Sequence, residues 1–271
     1  MKVLSTIYVW MWIGMVVAEQ RCTCPTIPSI SPLSTSTLPT QSQPPQSQGS
    51  QVCNGLARRK YLTRDTVGSI IENQFCPDAA KFEMHGDGAL NWIYNDNTPE
   101  AVLISLGWKN LSQTHLPQVG ACVHYLRDRI VDGCDGNDPT NPMNWKGGGY
   151  LKVDQYEYTI DPTANRQPAP KQPQALCKIT AQANYTSVRM WGGGWASSDF
   201  GKALIVNLNS CGLLQDTFAF QYGRLEGGYE WAASMLVPPS TKNECILSAA
   251  TKSGAHQGLS WLGGAEPPAF L

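Results

Sequence analysis

The sequence predicts an α+β fold, in which helices pack on antiparallel sheet in two related, disulfide-stabilised α/β-sandwich modules. Three observations predict this fold. Helix-like stripes and strand-like runs follow one another after Cys53, and nine cysteines occur in 271 residues. Each half also repeats the order helix, cysteine, hairpin, cysteine: Cys76 to Cys122 in the first half and Cys211 to Cys245 in the second.

The N-terminal segment, residues 1–18, is predicted to be a secretory signal peptide. Lys2 precedes an apolar run over residues 3–17, and small or apolar residues follow where signal peptidase cleaves. The run is shorter than the roughly 20 apolar residues that cross a bilayer, so no membrane span is expected. The mature chain should therefore begin near Glu19 and be secreted and extracellular.

Residues 19–52 are predicted to form a disordered stalk. From Cys22 to Val52 the chain has no charged residue and consists mainly of Pro, Ser, Thr and Gln. Such a segment cannot bury enough apolar surface to offset its chain entropy. An O-glycosylated stalk and a plain spacer both fit this composition.

Two amphipathic helices are predicted in the first module, residues 53–160. The first helix is capped by Thr63 and should end at Cys76-Pro77, and the second begins near Pro117 and ends at Gly133. Their apolar stripes have helical spacing: Val67, Ile70, Ile71 and Phe75 in the first, and Val119, Cys122, Val123, Leu126 and Ile130 in the second.

Strand-like runs complete the first module. They cover residues 89–94, residues 101–108 and a Tyr-rich strand over 150–160. In the second run the alternating residues share one face: Val102, Ile104, Leu106 and Trp108.

A Pro-rich linker, 161–175, separates the halves. The second module, 176–250, is predicted to contain a strand over 176–180, a helix over 198–210, a hairpin of 217–222 with 229–237, and a short strand around Cys245. Residues 251–271 form a tail.

Seven cysteines are predicted to form the disulfide framework of the folded part, as suits an oxidising compartment: Cys53, Cys76, Cys122, Cys134, Cys177, Cys211 and Cys245. The total of nine is odd, so at least one cysteine is free, pairs between chains or is lost in processing. Connectivity and oligomeric state stay open.

The net charge argues against one class of partner, and two sequons predict N-glycosylation. The formal net charge is −1, and no stretch clusters Lys and Arg, so nucleic acid is not an expected partner. Asn110-Leu-Ser and Asn184-Tyr-Thr are N-glycosylation sequons and are expected on surface loops.

The stretch "MWGGGWASSDFGKAL", residues 190–204, does not match a phosphate loop, a dinucleotide fingerprint or a nucleophile elbow. It is interpreted as a helix entrance, with Ser198 as the cap and Asp199 at the positive end of the helix dipole. The alternative is a sugar platform made of Trp145, Trp191 and Trp195, since exposed aromatic faces suit the apolar faces of sugar rings.

Neither a metal nor a cofactor is expected. The segment "DGCDGNDPTNP", 132–142, lacks the Gly and the Glu that a calcium loop needs, and is interpreted as a series of Asx and Pro turns. The four histidines do not have zinc-site spacing. Five carboxylates could meet as an acid/base pair only in the fold: Asp87, Glu100, Asp199, Glu226 and Glu230.

Three segments carry a resemblance to known proteins: "CNGLARRKYLTRDTV", "CDGNDPTNPMNWKGGGYLKV" and "MWGGGWASSDFGKAL". They resemble segments of a family of secreted, cysteine-containing proteins of filamentous ascomycete fungi, some effector-like and some attached to secreted carbohydrate-active enzymes. The resemblance covers roughly Cys53 to Cys245 and brings no catalytic residue. It implies a further Cys-Gly after Cys245, which this chain lacks, so one of Cys177, Cys211 and Cys245 would lose its usual partner or pair with Cys22 or Cys24.

The sequence therefore predicts a secreted, non-catalytic, effector-like protein related to virulence or toxicity. Its partner would be a host or cell-wall component, either glycan or protein. Two alternatives stay open: a carbohydrate-binding accessory protein for chitin or glucan, and a secreted glycoside hydrolase.

Overall fold

The computed structural model describes residues 49–256, 260–261 and 268–269, which lie in one compact unit of the chain, Ser34–Leu271. The predicted signal peptide, residues 19–48 of the predicted stalk, and both Cys22 and Cys24 fall outside the described residues. Residues 50–52, also assigned to the disordered stalk, instead form part of a strand that pairs with residues 150–152. Across the described ranges, every helix is too short or too polar to cross a bilayer.

The first module, residues 50–162, is a five-stranded antiparallel sheet with three helices and two π-helical turns. Its sheet has the order β1-β4-β5-β3-β2. The strands are β1 (Ser50–Cys53), β2 (Met84–Tyr94), β3 (Val102–His115), β4 (Gly149–Val153) and β5 (Tyr156–Pro162). The helices are α1 (Arg64–Ile70), α2 (Cys76–Ala79) and α3 (Val119–Val123), with π-helical turns at Ile71–Phe75 and His124–Val131.

The core of the first module lies between the helices and one face of the sheet. The predicted stripe of the first helix is buried, and so is the predicted apolar face of β3. Two of these side chains, Phe75 and Ile104, are 0% exposed. The helical and strand periodicities are therefore confirmed here, because each apolar set faces the other across the layer.

The second module, residues 174–261, is also a five-stranded sheet with helices, in the order β10-β6-β7-β9-β8. Its strands are β6 (Gln174–Ala181), β7 (Thr186–Gly193), β8 (Ala219–Tyr222), β9 (Trp231–Val237) and β10 (Ser260–Trp261). All pairs are antiparallel except β10 with β6. The helices α4 (Lys202–Leu208) and α5 (Asn243–Lys252) contribute buried residues to the core of this module. The predicted α+β class with two modules is confirmed.

Several element predictions differ from the structure. The single strand predicted over 150–160 is the β4–β5 hairpin, because the chain turns at Asp154, whose φ is 51°. The first helix does not end at Cys76-Pro77 but continues through α2 to Ala79, since the π-helical turn before Pro77 accommodates a residue without an N–H.

In the second module the segment around Cys245 is helical, and forms α5 instead of a strand. Strand β7 has no counterpart in the sequence prediction, because its buried Met190-Trp191-Gly192 run does not alternate. Strand β10 lies within the segment 251–271 that was assigned to a tail.

Three disulfides link elements of the chain, two within the first module and one within the second. Cys53 pairs with Cys134 and Cys76 with Cys122 in the first module, and Cys211 pairs with Cys245 in the second. Six of the seven cysteines predicted to bridge therefore do so.

Cys177 departs from the predicted framework. Among the described residues it is the free cysteine, and it is buried in β6, because the six other described cysteines pair with one another. Burial raises the pKa of its thiol to about 12, which keeps it protonated and inert at neutral pH.

Candidate functional site

The three tryptophans proposed as a sugar platform are buried. Trp145 is 1% exposed, Trp191 5% and Trp195 6%. The indole Nε1 of Trp145 donates to the carbonyl of Pro170 at 2.8 Å, and that of Trp195 donates to the carbonyl of Gln174 at 2.8 Å. These rings belong to the core, so they do not form the exposed platform that the sequence suggested.

The glycines beside these tryptophans explain the burial. At Gly192 an added Cβ would lie 2.1 Å from the indole of Trp231, so the bare backbone lets that ring pack against β7. Trp231 in turn meets Trp195 edge to face at 4.6 Å between ring centroids. The glycines of the "WGGGW" motif thus allow a tryptophan ring to pack closely against the backbone.

The helix entrance predicted after this motif is shifted. Helix α4 begins at Lys202 after the N-cap residue Gly201, and the side chain that accepts from its first turn is that of Asp199 and not of Ser198. The Oδ1 atom of Asp199 accepts from the N–H of Gly201 at 3.0 Å, and its Oδ2 accepts from the N–H of Ala203 at 2.9 Å. A carboxylate there also suits the helix dipole.

The acidic loop 132–142 is a turn, as predicted. The Oδ1 atom of Asp138 accepts from the N–H and the hydroxyl of Thr140, at 2.7 and 2.6 Å. In the part of the chain that the structure describes, no group of three or more His, Cys, Asp or Glu side chains could hold a metal ion.

Both sequon asparagines are exposed. Asn110 lies in β3 with a φ of 56°, beside a bulge in the β2–β3 pairing, and Asn184 lies in the turn between β6 and β7. Asn184 therefore lies on a surface loop as expected, whereas Asn110 lies in a strand and not in a loop.

The five candidate carboxylates fall into separate places. Asp87 accepts from the N–H of Asn110 at 2.6 Å in the bulge, and Glu226 is exposed. Glu100 and Glu230 are buried where the two modules meet, and Asp199 lines a cleft together with Glu100. The fold therefore gathers three of the five and leaves the other two apart.

Arg166 connects the modules at this junction. Its Nε and Nη2 atoms donate to both carboxylate oxygens of Glu230, at 2.6 and 2.7 Å, and its Nη1 donates to the carbonyl of Tyr61 at 2.9 Å. The guanidinium also lies 3.9 Å from Glu100 and over the ring of Tyr61, 4.2 Å from its centroid. Burial alone would lower the pKa of Arg166, but the Glu230 carboxylate raises it above its usual value.

A cleft of about 200 Å³ opens in the first module between β5 and the helical segment that begins at α3. We call it the aromatic cleft. Its lining includes three tyrosines, Tyr125, Tyr156 and Tyr158, with His115 at the end of β3. The ring centroids of Tyr125 and Tyr158 are 5.0 Å apart, and those of His115 and Tyr156 are 6.0 Å apart.

Local structure places these rings. Tyr156 and Tyr158 are two residues apart in β5, so both point to the helix side of the sheet. Tyr125 lies in the π-helical turn after α3 and faces them. The sequence shows the tyrosines, but only the pairing of β5 with β3 and β4 brings them opposite the helix.

The rim of the aromatic cleft is polar. His115, Gln118 and Asp154 are exposed there. Burial raises the pKa of Tyr158 and of Tyr156, so both phenols stay protonated at neutral pH and can donate as well as accept a hydrogen bond. Apolar rings inside a polar rim form a site for an amphipathic ligand.

Comparison with known proteins finds two similarities. Residues 49–163 are similar to a fungal lectin family described as a "putative glycan binding domain", and residues 173–262 to a family described as a "fungal ACT-like domain". The two matched ranges follow the two modules, and both families are fungal, in agreement with the resemblance to fungal proteins. No curated protein and no solved structure matches the chain.

Proposed function

We propose that this protein is an extracellular, non-catalytic glycan-binding protein and that the aromatic cleft holds the sugar. The observation that carries the proposal is the grouping of Tyr125, Tyr156 and Tyr158 in one cleft. That cleft lies entirely within residues 49–163, which are similar to the glycan-binding family.

The chemistry of the cleft supports this ligand. A sugar ring has an apolar face of C–H groups and a rim of hydroxyls. The half-buried rings of Tyr125 and Tyr156 can cover the face, and the buried Tyr158 packs beside Tyr125. The side chains of His115, Gln118 and Asp154 can exchange hydrogen bonds with the hydroxyls. Because those rim groups are exposed, they bind water in the free protein and can exchange that water for sugar hydroxyls.

The covalent chemistry supports an extracellular place of action. Three disulfides persist only where the medium is oxidising, and a predicted signal peptide precedes the fold. We propose that the protein acts at a host or cell-wall surface, as effector-like proteins do, with N-glycans on the exposed Asn110 and Asn184.

Capture on insoluble chitin and β-glucan, together with a glycan array, tests the proposal on secreted protein. We expect at least one glycan to be retained, and Tyr125→Ala to weaken that binding by tenfold or more. Tyr125 is half-buried at the mouth of the cleft, so its truncation removes one wall while the sheet stays intact.

Tyr185→Ala is the matched control, because Tyr185 is 39% exposed in the second module, far along the chain from the aromatic cleft. If wild type, Tyr125→Ala and Tyr185→Ala are retained equally, the glycan does not bind in the aromatic cleft. Hydrolysis of a retained polymer that stops when one carboxylate is substituted would contradict the non-catalytic role.

A further inference from the structure

A second cleft lies where the two modules meet, and we call it the junction cleft. It has a volume of about 260 Å³. The first module contributes Thr63, Thr66 and Glu100, and the second contributes Ser253 and the loop 195–199. It shares no lining residue with the aromatic cleft.

Its walls are rich in hydrogen-bond acceptors. Glu100 is 1% exposed, and its two oxygens accept from the N–H and the hydroxyl of Thr63, at 3.1 and 3.2 Å. A carboxylate has about four acceptor positions, so Glu100 keeps capacity for a ligand. Asp199 likewise accepts two backbone N–H groups, which fix its orientation.

Hydroxyls and one indole complete the lining. Ser197 donates its hydroxyl to the carbonyl of Trp195 at 3.2 Å, so its lone pairs stay open to a donor. Ser198 and Ser253 add two further hydroxyls, and the buried Trp195 supplies the apolar part. No Lys or Arg is among the described lining residues of this cleft.

The loop that forms one wall is held in a strained conformation. Ala196 and Phe200 have φ values of 49° and 54°, which cost energy in residues with a Cβ. Tyr222 holds both: its hydroxyl donates to the carbonyl of Ala196 at 2.9 Å and accepts from the N–H of Phe200 at 2.9 Å. The loop is therefore preorganised, which lowers the entropic cost of binding.

We infer that the junction cleft binds one unit of a neutral, polyhydroxylated ligand, a saccharide or a sugar alcohol. Arg166 does not line the cleft but lies 3.9 Å from Glu100, and it is also bidentate to Glu230. With Asp199, three carboxylates therefore stand against one guanidinium. The excess negative charge repels an anionic ligand and favours one that donates several hydroxyl protons. The site needs both modules and stands apart from the proposed sugar site in the aromatic cleft.

Saturation-transfer NMR on the full secreted protein tests the inference. The probes are glucose, mannose, N-acetylglucosamine and sorbitol, with glucuronate as the anionic counterpart of glucose. We expect at least one neutral probe to bind and glucuronate to bind at least tenfold more weakly than glucose. Glucose against sorbitol then distinguishes a sugar ring from an open-chain polyol.

Variants assign the binding to the junction cleft. Asp199→Asn removes the charge and leaves one side-chain oxygen to accept a backbone N–H, and we expect at least a fivefold loss of affinity for the neutral probe. Glu100→Gln should act in the same direction. The matched control is Asp216→Asn, an exposed aspartate outside the cleft, and it should change nothing.

Three outcomes would overturn the inference: no binding of any neutral probe, equal binding of glucuronate, or unchanged binding in Asp199→Asn. Tyr125→Ala separates the two sites. If it abolishes binding of these probes while Asp199→Asn does not, the probes bind in the aromatic cleft and the inference about the junction cleft is wrong. If Asp199→Asn abolishes binding while Tyr125→Ala does not, the probes bind in the junction cleft and the aromatic cleft is not the sugar site.

Discussion

At the scale of single residues, Arg166 is the side chain that connects the two modules. It comes from the Pro-rich segment between the modules, yet its guanidinium is buried against Glu230 of the second module and Tyr61 of the first. The Pro-rich composition around it gives no sign of this role. The guanidinium is buried because its planar, bidentate geometry satisfies a buried carboxylate that nothing in the local sequence identifies.

Breaking this ion pair should destabilise the protein strongly. Removing one partner of a buried pair costs about 3–5 kcal/mol, because the other charge stays buried and unpaired. We expect Arg166→Met and Glu230→Gln each to lower the free energy of unfolding by this order, and the double variant by less than their sum. Guanidinium unfolding followed by tryptophan fluorescence measures all three.

Arg58→Met is the control for these ion-pair variants. Arg58 lies 3.5 Å from Asp161, and both side chains are more than a third exposed, so losing the pair should cost at most about 1 kcal/mol. Strict additivity of the two junction variants, or a cost no larger than that of Arg58→Met, would refute the role given to Arg166.

At the scale of elements, the structure separates what local pattern predicts from what packing decides. The stripe of α1 and the alternating face of β3 were predictable, because each is amphipathic and half-buried. Strand β7 was not, since both of its faces are covered near Trp191. Helix α5 was taken for a strand because its apolar residues span only a short run beside a cysteine.

The glycine at the end of β7 offers a direct test of this packing. Gly192→Ala would place a Cβ 2.1 Å from the indole of Trp231, so the ring or the strand must move. We expect a loss of stability of about 1–3 kcal/mol, as for other overpacked cores. The melting temperature and near-UV circular dichroism, which reports the tryptophan environment, are the measurements.

Gly120→Ala is the matched substitution. Nothing lies within 4 Å of a Cβ at Gly120, which is exposed in α3. Alanine there should be neutral or slightly stabilising, since it lowers the entropy of the unfolded chain. If both alanines behave alike, close packing at β7 is not what requires a glycine at position 192.

At the scale of the whole molecule, disulfides stabilise each sheet internally, and the junction around Arg166 connects the two sheets. The Cys53–Cys134 bridge closes a loop of 81 residues, which corresponds to about 4–5 kcal/mol in the chain-entropy account. Because each bridge lies within one module, the disulfides stabilise the modules, and Arg166 with its partners fixes one module against the other.

Removing a bridge should therefore cost much more than removing the free thiol. We expect the double variant Cys53→Ser with Cys134→Ser to lower the free energy of unfolding by about 2–5 kcal/mol. Cys177→Ala should lower it by only about 1 kcal/mol, because it shortens a buried side chain but removes no cross-link. Calorimetric melting compares them. Full reduction and alkylation should abolish cooperative melting, and an unchanged transition would contradict the stabilising role of the disulfides.

The sequence by itself determined the α+β class, the two modules, the cysteine-rich framework and the apolar faces of α1 and β3. These features depend on neighbours within a few residues, so periodicity and composition reveal them. Only the tertiary structure decided which cysteines pair, that Trp145, Trp191 and Trp195 are buried, and which tyrosines and carboxylates meet. The physical reason is that both clefts depend on strand register and on packing between distant segments, and neither leaves a signal in local sequence.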